Sequence, residues 1–363
     1  MKYGVFLPVG NNGWVISRTA PQYAPSFDLN RRVVEKAEEL GFSFALAMLK
    51  YRGFGGATRH WDDTADPTAL IAALCAVTSK IKLYSTISPL TVNPVVAAKT
   101  AATLDDVSGG RFGFNLVAGW NRTEYAQMGA WPGEEYYTDR YEVLSEFTHI
   151  MKTLWRDGHA TFHGEHFTIE DARIGPKPTG HIDLVSAGSS PRGRQFVAEY
   201  ADYHFGAGST PEAVCASNAG LAAACAAGDR RPTAIANATV VIADTDEDAA
   251  RVVARYVEGA DEDALAAMVA EYSRDTATNG SSAAVAGRHR AQVNPFYGAQ
   301  PLAGSAATIA ARLNALAAVP GTSGIMLTFD DFVDGMERFG RDVIPLLDHP
   351  LTLTDDTQNA LLP

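Results

Sequence analysis

Asn115 and Trp120 are the first residues of this chain whose types and spacing suggest chemistry. They lie in and just beyond an apolar run, Phe112–Ala118, with Gly119 before the tryptophan. An asparagine near the C-terminal end of a strand holds a polar ligand edge, and a nearby indole supplies a dry wall. Structure alone also accounts for them, with Asn115 bonded to a neighbouring loop and Trp120 capping the core. Thr86 adds a small hydroxyl near the end of another apolar run. Beside Leu46, Asn115 and Trp120 it makes a compact, mostly apolar cavity with two polar points, unless it is simply a satisfied strand threonine. In Ser189-Ser190-Pro191-Arg192-Gly193, Ser190 sits at an N-cap and Pro191 at the first helical position. Free amide N–H groups and the helix dipole make such a turn an anion site, and Arg192 and Arg194 add charge. A plain capped helix fits the same pattern. Arg140-Tyr141 offers a guanidinium and a phenol for clamping a phosphate, or else a surface ion pair worth little.

No Ser–His–Asp pattern, no HExxH and no catalytic cysteine context is present. That absence favours chemistry carried by a cofactor, with the protein positioning it. His159, His163 and His166 have metal-like spacing, but residues 161–168 alternate as a hairpin around Gly164, and the hairpin is the reading adopted.

These side chains need a scaffold. Strand patterns at Lys2–Val9, Phe42–Leu49, Ile81–Ser88, Phe112–Ala118, Ile182–Ala187, Tyr203–Gly206, Thr233–Ala243 and Gly324–Phe329 alternate with helical ones. The helices are expected at Leu29–Leu40, Pro67–Thr78, Pro94–Val107, Glu134–Arg156, Pro191–Tyr200, Pro211–Ala226, Asp246–Tyr272 (one or two), Ala306–Ala318 and Val333–Leu347. Near-continuous apolar strands are buried on both faces, so the expected closure is an α/β (β/α)8 TIM barrel spanning residues 1–363 as one domain. An open doubly wound sheet would want a Gly-rich phosphate turn after the first strand, and Val9–Trp14 is not one. Periodicity fails at 273–300, which reads as an inserted loop before the last strand, a possible lid.

The chain has 363 residues and a net charge of −12, with 46% apolar and 20% charged residues. A globular protein that does not bind nucleic acid fits this charge. No apolar run is long enough to span a membrane, and the N-terminus reads as a strand rather than a signal peptide. Cys75, Cys215 and Cys225 fit reduced thiols in a cytoplasmic protein.

Longer segments go beyond generic barrel features. They are Gly4–Trp14 (GVFLPVGNNGW), Ala20–Tyr23, Phe44–Lys50, Arg52–Gly56 (RGFGG), Ser108–Gly113 (SGGRFG), Asn115–Trp120, Glu124–Gly129, Trp131–Gly133 and Leu327–Phe332. With them the chain resembles the bacterial luciferase-like flavin monooxygenases over nearly its whole length. Among these it is most similar to the pyrimidine monooxygenases of Rut uracil degradation. SGGRF is shared across the superfamily, whereas GNNGW and RGFGG are more specific to the pyrimidine enzymes.

The resemblance implies a two-component system. A separate NADH-dependent reductase supplies reduced FMN, and dioxygen is the co-substrate. A flavin-N5 peroxide opens uracil or thymine between N3 and C4, giving ureidoacrylate peracid and then ureidoacrylate. The implied FMN contacts are Leu49, Lys50, Asn115, Glu124, Arg140, Tyr141 and Ser190. The implied dioxygen pocket is Leu46, Thr86, Asn115 and Trp120, with no metal. A cation such as Lys50 would stabilise anionic reduced flavin. A homo-oligomer is expected. The same flavin residues would also serve another cyclic amide or heteroaromatic, a deazaflavin hydride-transfer enzyme, or a catalytically silent flavin protein. Ser189 stands where the family often has Gln, and 273–300 and the C-terminal tail match least well.

Overall fold

The computed structural model describes residues 1–206, 208–226, 228–275, 294–297 and 299–351. Residues 276–293 and 298 of the expected insert lie outside the described residues. The strands in chain order are β1 (Lys2–Phe6), β2 (Phe44–Ala47), β3 (Lys82–Ile87), β4 (Phe112–Leu116), β5 (His159–His163), β6 (Thr168–Arg173), β7 (Asp183–Ser186), β8 (Tyr203–Phe205), β9 (Thr233–Ile242), β10 (Leu302–Gly304) and β11 (Thr322–Phe329). Parallel pairing runs β9–β11–β1–β2–β3–β4–β7–β8, and β8 pairs back onto β9. The eight-stranded barrel expected from the sequence is therefore closed. β5 and β6 form the expected antiparallel hairpin outside it.

The helices are α1 (Phe27–Glu39), α2 (Pro67–Val77), α3 (Pro94–Ser108), α4 (Arg122–Ala126), α5 (Tyr136–Asp157), α6 (Pro191–Tyr200), α7 (Pro211–Ala224), α8 (Asp246–Glu258), α9 (Glu262–Arg274), α10 (Ala306–Ala317) and α11 (Phe332–Arg338). Side chains at Ser26, Asp66, Asn93, Ser190 and Thr210 cap the starts of α1, α2, α3, α6 and α7. Each accepts an N–H that the first helical turn cannot satisfy internally.

Several boundaries differ from the expectation. β1 stops at Phe6 rather than Val9, because Pro8 has no N–H to continue a ladder. Asp246–Tyr272 resolves as two helices, with Asp261 capping the second. The final helix is shorter than Val333–Leu347. After Arg338 it passes through a π turn, Phe339–Val343, and a 3-10 turn at Ile344–Leu346, where Pro345 lacks a donor. β10 was not expected. β9 runs on past its pairing with β8, and three residues of β10 use that free stretch.

The Ser108–Gly113 segment has a structural task. Gly109 and Gly110 adopt positive φ at the end of α3, the conformation glycine takes without a Cβ penalty. Arg111 then donates to the carbonyls of Cys75, Thr78 and Ile81 and to the Thr78 hydroxyl, at 2.9–3.0 Å. These include orphan carbonyls at the C-terminus of α2. Arg111→Ala leaves them unpaired and is expected to lower unfolding stability by about 2–3 kcal/mol. Urea denaturation checks this, and an unchanged midpoint would contradict it.

Candidate active site

Side chains two residues apart on a strand face the same way. Phe44, Tyr84 and Gly113 share one layer: the Phe44 and Tyr84 rings are 5.8 Å apart, and a Cβ on Gly113 would meet the Tyr84 ring at 2.5 Å. One step toward the strands' C-terminal ends come Leu46, Thr86 and Asn115. Thr86 and Asn115 are register partners. Asn115 Nδ2 donates to Thr86 Oγ1 at 3.0 Å, and Thr86 Oγ1 donates to the Ala47 carbonyl at 2.7 Å. Asn115 Oδ1 is buried and has no partner among the described residues. The polar contact of Asn115 is thus a neighbouring strand, not the loop considered above. An unpaired buried acceptor costs free energy unless a ligand satisfies it.

The loop after β2 brings Lys50 to the same end of the barrel. Lys50 Nζ lies 3.4 Å from Glu124 Oε2, and both side chains are buried. Glu124 Oε1 also accepts the Tyr51 N–H at 2.5 Å. The short helix α4, capped by Asn121, places Glu124 there. Burial pushes the Lys50 ammonium below its usual range, and Glu124 works against that. The ammonium sits 4.6 Å from the Phe54 ring centre and 6.0 Å from that of Trp120. Trp120 stacks nearly parallel on Tyr272 at 4.2 Å. Leu49 lines a pocket of about 180 Å³ with Tyr51, Asp66, Thr68, Thr86 and Phe114.

The turn between β7 and α6 forms as expected, with Ser190 Oγ accepting the Gly193 N–H at 3.1 Å. Gly188 and Gly193 touch backbone to backbone, and a Cβ on Gly188 would lie 2.6 Å from the Gly193 carbonyl oxygen. A Cβ on Gly193 would lie 2.6 Å from the Tyr141 hydroxyl. Burial raises the Tyr141 phenol, and Arg140 and Ser190 work against that. Arg140 is not at the surface: it is buried in an ion pair with Asp275 at 2.9 Å. Its guanidinium has further N–H groups for an anion. Arg192, expected to add charge to the turn, is committed to Glu142 at 2.6 Å.

GNNGW is latched to Thr58, Arg59 and Trp61, just beyond RGFGG. Asn11 Nδ2 donates to the Arg59 carbonyl at 2.8 Å, and Asn12 Nδ2 donates to that of Thr58 at 2.7 Å. Trp61 Nε1 donates to the Gly13 carbonyl at 2.7 Å. Asp261 accepts from the Thr58 N–H and hydroxyl at 2.6 and 2.7 Å, tying the latch to α9. Inside it, Trp61 stacks on His60 and on Tyr297. Tyr272, Tyr297, His60 and Asp275 were not picked out from the sequence. They lie far from their partners along the chain, and no local spacing marks them.

Among the described residues, His181, Asp183 and Asp202 form the one cluster with metal-type donors. Lys82 and Tyr84 bind Asp183, and Arg230 binds Asp202, so the acids are already paired. No helix among the described residues is long and apolar enough to cross a membrane.

The luciferase-like monooxygenase family matches residues 1–323. The chain is 45% identical over 350 residues to pyrimidine monooxygenase RutA of Stutzerimonas stutzeri, covering 96% of each chain. It is 46% identical over 354 residues to that of Agrobacterium fabrum, again covering 96% of each. Among solved structures it is similar in fold to an EDTA monooxygenase from a Chelativorans species, with a TM-score of 0.81 at 18% identity over 98% of this chain and 96% of that one. A riboflavin lyase with modified FMN has the same TM-score, 0.81, at 20% identity over 97% and 94% of the two chains. The chain therefore belongs to the luciferase-like monooxygenase family, among the RutA pyrimidine monooxygenases, and is a monooxygenase.

Proposed function

We propose that this enzyme uses reduced FMN and dioxygen to open uracil or thymine between N3 and C4, yielding ureidoacrylate peracid and then ureidoacrylate. The observation that carries the reading is the buried, unpartnered Asn115 Oδ1. An acceptor there suits a ligand N–H, and reduced flavin carries one at N5 that oxidised flavin lacks. The Gly188–Gly193 contact, the Ser190 cap and the aromatic walls also fit a flavin mononucleotide. The names of the curated relatives support the pyrimidine substrate.

Bound reduced FMN supplies two electrons to dioxygen, and the protein does the positioning. Ser190, Tyr141 and Arg140 would hold the phosphate at the start of α6. Lys50, held by Glu124, would offset the negative charge of reduced FMN, and Leu49 would contribute a further contact. Leu46, Thr86, Asn115 and Trp120 form the dioxygen pocket, with Leu46 and Trp120 excluding water. The electrons come from NADH through a separate flavin reductase. The enzyme works as a cytoplasmic homo-oligomer.

Gly188→Ala is expected to weaken FMN binding by about tenfold or more, since the added methyl forces the turn open. Flavin fluorescence titration checks this, and unchanged affinity would move the phosphate elsewhere. The function itself is tested by aerobic turnover with FMN, NADH, a flavin reductase and uracil. Uracil loss with a product of ureidoacrylate mass supports it. Hydrogen peroxide release with intact uracil opposes it.

A further inference from the structure

One buried pair near the site has no part in the roles above. His60 is fully buried. Its Nε2 is hydrogen-bonded to the Tyr297 hydroxyl, while its Nδ1 is buried and has no partner among the described residues. Burial, aided by the Lys50 charge and opposed by Asp261, pushes the imidazole down to about 3. The ring is therefore neutral and carries one N–H. Burial also raises the Tyr297 phenol well above its usual range, so the phenol keeps its proton. A buried O–H needs an acceptor, and among the described residues His60 Nε2 is the partner it has. The imidazole proton then resides on Nδ1, a donor with nothing to bond.

The surroundings connect this donor to the candidate active site. His60 stacks on Trp61 at 4.9 Å, and Trp61 lies 5.9 Å from Phe54, the ring that faces Lys50. Trp14, half-buried, meets both Trp61 and Tyr297 edge-on. An aromatic enclosure with a neutral donor suits a flat, uncharged ring that carries a carbonyl.

We propose that His60 is a specificity-determining residue whose Nδ1–H donates to a ring carbonyl oxygen of the heterocyclic substrate. Tyr297 acts through it by fixing the tautomer. This inference rests on the pyrimidine reading given above.

Uracil binding to the FMN-loaded protein, followed by calorimetry, tests it. His60→Phe keeps the stacked ring and removes the donor. It is expected to raise the uracil Kd about tenfold or more while the FMN Kd stays unchanged. His60→Gln restores an N–H and is expected to recover part of the loss. Tyr297→Phe frees the tautomer and is expected to cost about threefold. Wild type and His60→Phe binding uracil equally, with FMN binding intact, would overturn the inference alone. A Tyr297→Phe variant indistinguishable from wild type would overturn the tautomer role. Failure of His60→Gln to improve on His60→Phe would overturn the donor role. Wild type that binds no pyrimidine would overturn the substrate reading and this inference with it.

Discussion

Asn115→Ala is expected to uncouple the enzyme. Product formed per reduced FMN consumed should fall about 10²-fold, with hydrogen peroxide released in its place. The variant removes the unpaired Oδ1 acceptor and also the N–H that Thr86 accepts. Thr86 keeps its bond to the Ala47 carbonyl, so the strand pairing survives. Binding of oxidised FMN should change by less than about tenfold, because the proposed phosphate contacts lie on α5 and α6. Parallel measurement of ureidoacrylate, peroxide and FMN affinity separates these effects. Coupling that survives intact would show that Asn115 takes no part in orienting the reactants. Thr86→Val should reproduce a weaker version of the same defect, since it leaves Oδ1 in place.

The second large effect concerns the Lys50–Glu124 pair. The two charges lie 3.4 Å apart in a buried setting, so each compensates the other. Lys50→Met leaves the Glu124 carboxylate uncompensated beside the proposed flavin site. Anionic reduced FMN should then bind about 10²-fold more weakly relative to oxidised FMN, a fall of roughly 60 mV in the bound potential for this two-electron couple. Glu124→Gln removes the countercharge, and the ammonium then acts alone, so the potential should rise instead. The opposite signs distinguish an electrostatic role from a structural one, which would weaken both redox states in both variants. Spectroelectrochemical titration of the bound flavin reads the two shifts directly. Shifts of the same sign would contradict the charge argument. Glu124 also holds the Tyr51 N–H, so its variant should lose some stability as well.

The barrel was legible because its strands are apolar on both faces and its helices carry local caps. Ser190-Pro191 is the clearest case: residue types adjacent in sequence define the turn, and it forms where expected. Thr86 and Asn115 also meet as expected, because adjacent parallel strands with fixed register bring their ends together. The pairings that tune the site were not legible. Glu124 reaches Lys50 from 74 residues away. Asp275 reaches Arg140 from 135 residues away, and Tyr297 reaches His60 from 237. Such contacts depend on how the loops at the barrel mouth pack, and no short-range pattern encodes them. GNNGW shows the converse. It is conspicuous in sequence, yet Asn11, Asn12 and the Gly13 carbonyl lock its loop to Thr58, Arg59 and Trp61. A distinctive motif need not touch a substrate to be required for the site.

The most direct test of the central claim is turnover of uracil under heavy-isotope dioxygen, with reduced FMN supplied by a reductase and the product analysed by mass spectrometry. If uracil is opened at C4 by oxygen from the gas, ureidoacrylate carries a heavy oxygen in its new carboxyl group. Label-free ureidoacrylate would mean that water opened the ring, and intact uracil beside labelled peroxide would mean that the barrel activates oxygen for a different substrate. Either result would contradict the account.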